Sequence, residues 1–210
     1  MWEEVDARVR DESYLTVGFV VFLVVAALIA AIGLVEDSSI LVVGAMVVGP
    51  EFGPIAGLAV GLFKRRPARI RVAGSTLAVG FAAGIVATYL VIGVAELAGW
   101  VPDAFSPETQ PITGFVTNPS FASFAISFLA GIAGTLSLTQ ARSGALIGVL
   151  ISVTTIPAVA AVGVSAAVGE WDDALGALVQ LTLNVVGLVL AGVVTLWVQR
   201  EAWERVKARR

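Results

Sequence analysis

The sequence predicts an all-α polytopic membrane protein, with six transmembrane helices arranged as two inverted three-helix repeats in which helices 2 and 5 are broken. Three observations carry that expectation. Of 210 residues, 58% are hydrophobic and 14% charged, and the mean hydropathy is +0.93. A water-soluble domain of this length has too small an interior for so much apolar surface, so a bilayer is the expected solvent. Six apolar stretches are each long enough to cross about 30 Å of hydrocarbon. Two of these stretches, finally, carry prolines at matching positions, where a helix interruption costs most.

The six stretches are 14–34, 40–63, 73–99, 121–138, 145–168 and 174–199. They divide the chain into an N-terminal segment 1–13, a membrane domain 14–199 and a basic tail 200–210. Within the membrane domain the repeats cover residues 14–99 and 121–199. Residues 1–13, MWEEVDARVRDES, are polar and lack the short apolar core and small-residue site of a cleaved signal. Orientation follows from Lys and Arg. The N-terminal segment, the 64–71 connection KRRPARIR, the 139–144 connection and the tail together hold all 13 basic residues. The other three connections hold none, so six spans put every cation on one side and both termini in the cytoplasm of a plasma-membrane protein. The one long connection, 100–120, has four prolines and reads as irregular.

Cysteine and histidine are both absent. That excludes disulfides, thiol nucleophiles, His-based triads and Cys/His metal sites, and no cofactor or metal is expected. Both lysines, Lys64 and Lys207, fall in cytoplasmic segments, which leaves no Ser–Lys pair in the membrane. An enzyme is therefore not expected. A net charge of −3 with no basic cluster of the right kind gives no reason to expect nucleic acid as a partner.

The repeat shows as a register. Phe19–Phe22 matches Phe121–Phe124 at an offset of 102, while Pro54 matches Pro157 and Gly84 matches Gly187 at 103. A three-span repeat must invert, and broken helices in corresponding positions of inverted repeats point to a transport site. Both breaks stand about ten residues into their helices, near the midplane at 1.5 Å per residue. The first break reads Gly49-Pro50-Glu51-Phe52-Gly53-Pro54. Its prolines free backbone acceptors, which must face protein or a wet cavity, and its glycines admit a neighbouring backbone. Pro54 and Pro157 suit the first turn of a second half-helix, and Thr154 and Thr155 stand where the latter's N-cap would stand. Two half-helix N-termini with partial positive charge would then face the centre.

Glu51 is the one ionisable residue expected deep in the membrane. It reads either as a carboxylate that binds a proton or cation, or as a cap that holds the broken helix together. Gln180 and Asn184, four apart on one helical face, read either as site residues or as interhelical hydrogen-bonding groups. The stripes Ser123, Ser127, Gly131, Thr135 and Gly80, Gly84, Thr88 read as close-packing faces.

The run GAMVVGPEFGPIAGL (44–58) resembles the G-A-M…P-x-x-G-P-I signature of the bacterial and archaeal membrane family known as domain of unknown function 389. GVLISVTTIPAVAAVG (148–163) and GEWDDALGALVQLTLNVVGLVLAG (169–192) are similar to its later segments. Two departures stand out: Ala158 follows Pro157 where many members have a second proline, and Leu183 precedes Asn184 where threonine is usual. The resemblance implies fold kinship and a bacterial membrane setting, and no substrate. Many relatives carry a soluble domain ahead of the membrane part, whereas about a dozen residues precede the first span here. The leading expectation is a transporter or channel-like protein for a small solute or ion, as a homo-oligomer in the lipid bilayer. The alternative is a non-transporting scaffold or sensor module.

Overall fold

In the computed structural model, residues 9–101, 114, 116–140 and 145–208 are described, with the side chains of 140, 145–154 and 206–208 outside that description. Regular structure among the described residues is entirely α-helical. The helices are α1 Val17–Val35, α2 Ser39–Val48, α3 Phe52–Phe63, α4 Pro67–Leu97, α5 Phe121–Gln140, α6 Ala145–Ala167 and α7 Trp171–Ala208. Four of them, α1, α4, α5 and α7, are long and apolar enough to cross a membrane, and α2 with α3 makes a fifth candidate bent by 58°. Apolar side chains cover the perimeter: Val17, Ile40, Leu97 and Phe121 are 82%, 83%, 91% and 85% exposed. Such a surface is stable against acyl chains and not against water.

Local chemistry sets the helix ends. Thr16 accepts the Phe19 N–H at 3.0 Å and so starts α1 three residues later than its apolar run. Four helices end in one motif, in which an N–H reaches back five residues: Ser38 to Gly33, Arg66 to Gly61, Trp100 to Ala95, and Glu170 to Ser165. The residue just before each of these donors is left-handed, namely Asp37 (φ 46°), Arg65 (φ 53°), Gly99 (φ 71°) and Gly169 (φ 86°). Glycine holds that conformation freely, whereas Asp37 and Arg65 do so against about 1 kcal/mol of steric preference.

Three boundaries differ from those expected. The KRRPARIR connection is not all loop: α4 begins at Pro67, whose missing N–H and fixed φ suit a first turn. The basic tail is helical to Ala208, and pairs four apart, Arg200–Glu204 at 2.9 Å and Arg205–Glu201 at 3.6 Å, extend α7 past the apolar stretch. The fifth stretch is not broken. α6 runs unbroken through Pro157, and residues 155–165 are all buried, so the helices packed around it hold it in one piece. Most of the 100–120 connection and residues 141–144 lie outside the described residues.

α6 lies against α1, α2, α4, α5 and α7 and touches α3, while α3 lies mainly against α4 and α7. Helices in lipid associate through close packing, because acyl chains are as apolar as leucine. Small residues make the approaches. A Cβ at Gly131 of α5 would stand 2.6 Å from the Leu188 carbonyl oxygen of α7. One at Gly84 of α4 would stand 2.9 Å from side chains of both Leu23 and Val159. Gly131→Ala is therefore expected to lose on the order of 1–3 kcal/mol in detergent unfolding. Gly93→Ala, where nothing lies within 4 Å, should stay within about 0.5 kcal/mol of the parent.

Candidate functional site at the broken helix

The break follows from its letters. Residues before a proline avoid helical dihedrals, and Gly49, ahead of Pro50, is extended at φ −60°, ψ 126°. α2 therefore stops at Val48. The chain re-enters helix at Phe52, with Glu51 as the N-cap residue, and Pro54 lies in the first turn, where no N–H is required. Glu51 contributes its backbone carbonyl to α3, accepting the Ile55 N–H at 3.1 Å. Its side chain makes no capping hydrogen bond. That carboxyl is instead fully buried and accepts a hydrogen bond from Thr155 Oγ1 of α6 at 2.7 Å.

Thr155 thus lies in the interior of α6 rather than at an N-cap, two residues before Pro157, and its hydroxyl joins the two proline-bearing stretches. The side chain of Thr154 lies outside the described residues. Phe52 is partly buried against the main core.

Gly53 admits a neighbouring backbone, and that neighbour is the segment ahead of α1. A Cβ there would stand 2.4 Å from the Glu12 carbonyl oxygen. Residues 9–13, the end of the polar N-terminal segment, are lodged against α3. Ser13 Oγ donates to the Val9 carbonyl and to the Gly53 carbonyl, the latter at 3.2 Å, and Thr76 Oγ1 donates to the Ser13 carbonyl at 2.9 Å. Val9 is fully buried in a small cluster with Ala56, Val60 and Leu196.

Gln180 and Asn184 form a second polar centre. Ser127 Oγ of α5 donates to Asn184 Oδ1 at 2.8 Å, and Gln180 Nε2 donates to the same oxygen at 3.2 Å. All three residues are buried. Ser127 was legible only as part of a packing stripe. Its depth follows from one contact: a Cβ at Gly192 of α7 would stand 2.8 Å from the Ala59 Cβ of α3. The two helices run the same way from there, since the ends of both line one cavity. Glu51 and Asn184 each stand eight residues before that crossing. At 1.5 Å per residue each lies about 12 Å back along its helix from that contact.

The family described as "Domain of unknown function (DUF389)" matches residues 46–190. The chain belongs to the DUF389 family. The matched region contains the break, Thr155 and Asn184. "Uncharacterized protein MJ0678" of Methanocaldococcus jannaschii is 26% identical over 202 residues, which cover 91% of this chain and 60% of that relative. The chain thus spans less than two thirds of the relative's length. No solved structure matches this DUF389 member significantly.

The Glu51–Thr155 contact makes a direct prediction. In a double-mutant cycle of Glu51→Leu and Thr155→Val, unfolding in mild detergent should report a coupling of about 0.6–1.7 kcal/mol. Strict additivity would show that the two side chains act separately.

Proposed function

We propose that this protein is a transporter, or a channel-like relative of one, for a small solute or ion, whose binding centre is the break in the α2–α3 helix where it meets α6. The hydrogen bond from Thr155 to the buried Glu51 carries the reading. Few stable folds keep a carboxyl at such depth for packing alone, and intramembrane ionisable groups belong by default to ion or substrate pathways. The N-terminus of α3 adds partial positive charge beside it. Asn184, Gln180 and Ser127, a second buried polar group on α7 and α5, would belong to the same pathway.

An inverted repeat of six spans, with α6 as the fifth, supports the reading. Gly84 packs on Leu23 and Ala27 of α1, and Gly187 packs on Phe124 and Ser127 of α5. The third helix of each half thus meets the first helix of its own half through a glycine at the matching register. The basic residues of the 64–71 region and the tail orient both termini to the cytoplasm. In this reading the protein is not an enzyme, and it assembles as a homo-oligomer through its remaining small-residue faces.

One observation favours a second reading, a scaffold or sensor module. Glu51 and Thr155 are 0% exposed, Asn184 1% and Gln180 3%. A transporter explains that burial as an occluded conformation, and a scaffold explains it as permanent packing. Proteoliposomes with imposed proton or sodium gradients separate the two. The parent protein is expected to dissipate a gradient faster than empty vesicles, and Glu51→Gln to fall to the empty-vesicle rate with its helical content unchanged. In this cysteine-free chain, Asn184→Cys should be labelled by a water-soluble thiol reagent. Absence of both flux and labelling would leave the scaffold.

A further inference from the structure

We propose that the groove between the α3–α4 turn and the end of α7 is a binding site for the phosphate headgroup of an anionic phospholipid. The groove holds about 1190 Å³ and is walled on one side by Leu62 and the turn Lys64-Arg65-Arg66, and on the other by Val194, Trp197, Arg200 and Trp203. Four cations and one carboxylate, Glu204, line it, and Glu204 pairs with Arg200 at 2.9 Å. The excess of three positive charges fits a phosphodiester anion, and a basic pocket between helices at a membrane surface has the chemistry of a lipid-headgroup site.

Two further features point to a lipid rather than to a soluble anion. The wall continues into exposed apolar surface: Leu62, Val194, Trp197 and Trp203 are 45%, 47%, 59% and 48% exposed. Acyl chains would cover that surface, and indole rings favour the headgroup level. The turn itself is arranged around its cations. Arg65 holds the left-handed position (φ 53°) that glycine holds freely at the ends of α4 and α6. An arginine in that conformation keeps three consecutive cations in a tight turn. A smaller cavity of about 440 Å³ on the other face of the same turn, lined by Arg10, Arg65, Arg66 and Arg69, extends the basic surface. None of this depends on transport.

The chain's own tryptophans read the site. With Trp2, Trp100 and Trp171 replaced by phenylalanine, only Trp197 and Trp203 remain of the five. In phosphatidylcholine vesicles, a small fraction of phosphatidylglycerol brominated in its acyl chains should quench them at least about fivefold more strongly than the same fraction of brominated phosphatidylcholine. Arg65→Gln, Arg66→Gln and Arg200→Gln combined should bring that ratio to one. Glu204→Gln should raise it, a gain that misfolding cannot mimic. Equal quenching by the two lipids in the parent, or an unchanged ratio in the triple variant, overturns the site. Displacement of the lipid by millimolar inorganic phosphate would assign the groove to a soluble anion and overturn the lipid.

Discussion

A carboxyl group taken out of water needs a hydrogen-bond donor, and here the donor is a hydroxyl 104 residues further along the chain. That requirement ties Glu51 to Thr155 and so ties the first half of the sequence to the second. Around the bond, the other features become consistent. The prolines on either side of Glu51 end one helix and begin the next, which brings the carboxyl to the N-terminus of α3. The neighbouring glycine lets the residues ahead of α1 close in from behind. α6 touches all six other helices, and the many partners around it keep its own proline from dividing it.

Much of this was legible in the sequence. All six apolar stretches became helices or a bent helix pair, because length and hydropathy decide which segments leave water, and the break at Gly49–Glu51 could be read from the constraints of proline on its neighbour. The family was readable from the order and spacing of GAMVVGPEFGPIAGL and the two later segments. What letters alone could not decide was whether Pro157 would break its helix as Pro50 does. The same residue type gives opposite results. Gly49 precedes Pro50 and leaves the helix, whereas Ile156 precedes Pro157 within a fully packed run.

The polar partners were the least visible. Ser127 belongs to a four-residue stripe that equally well describes packing, and only its distance to Asn184 separates the two meanings. Ser13 carries no periodic signal, and Thr76 stands four residues before Gly80 in a stripe that equally well describes packing, while their bonds to Gly53 and Ser13 cross 40 and 63 residues of sequence. Polar tails are ordinarily read as solvated, so Val9 gave no warning that it would be buried. Helix ends were misplaced where one residue outweighed the average of its window, as with Pro67 at the start of α4 and Thr16 before α1.

The lodging of residues 9–13 against α3 has a mechanical meaning. Through Glu12 and Ser13 this strip rests directly on the helix that begins beside Glu51, with Thr76 of α4 pinning it from the other side. Anything that tugs on the chain ahead of α1 is then transmitted across a few bonds to the start of that half-helix, without passing through any span. The strip is a short linkage, and its far end is a handle on the centre of the protein.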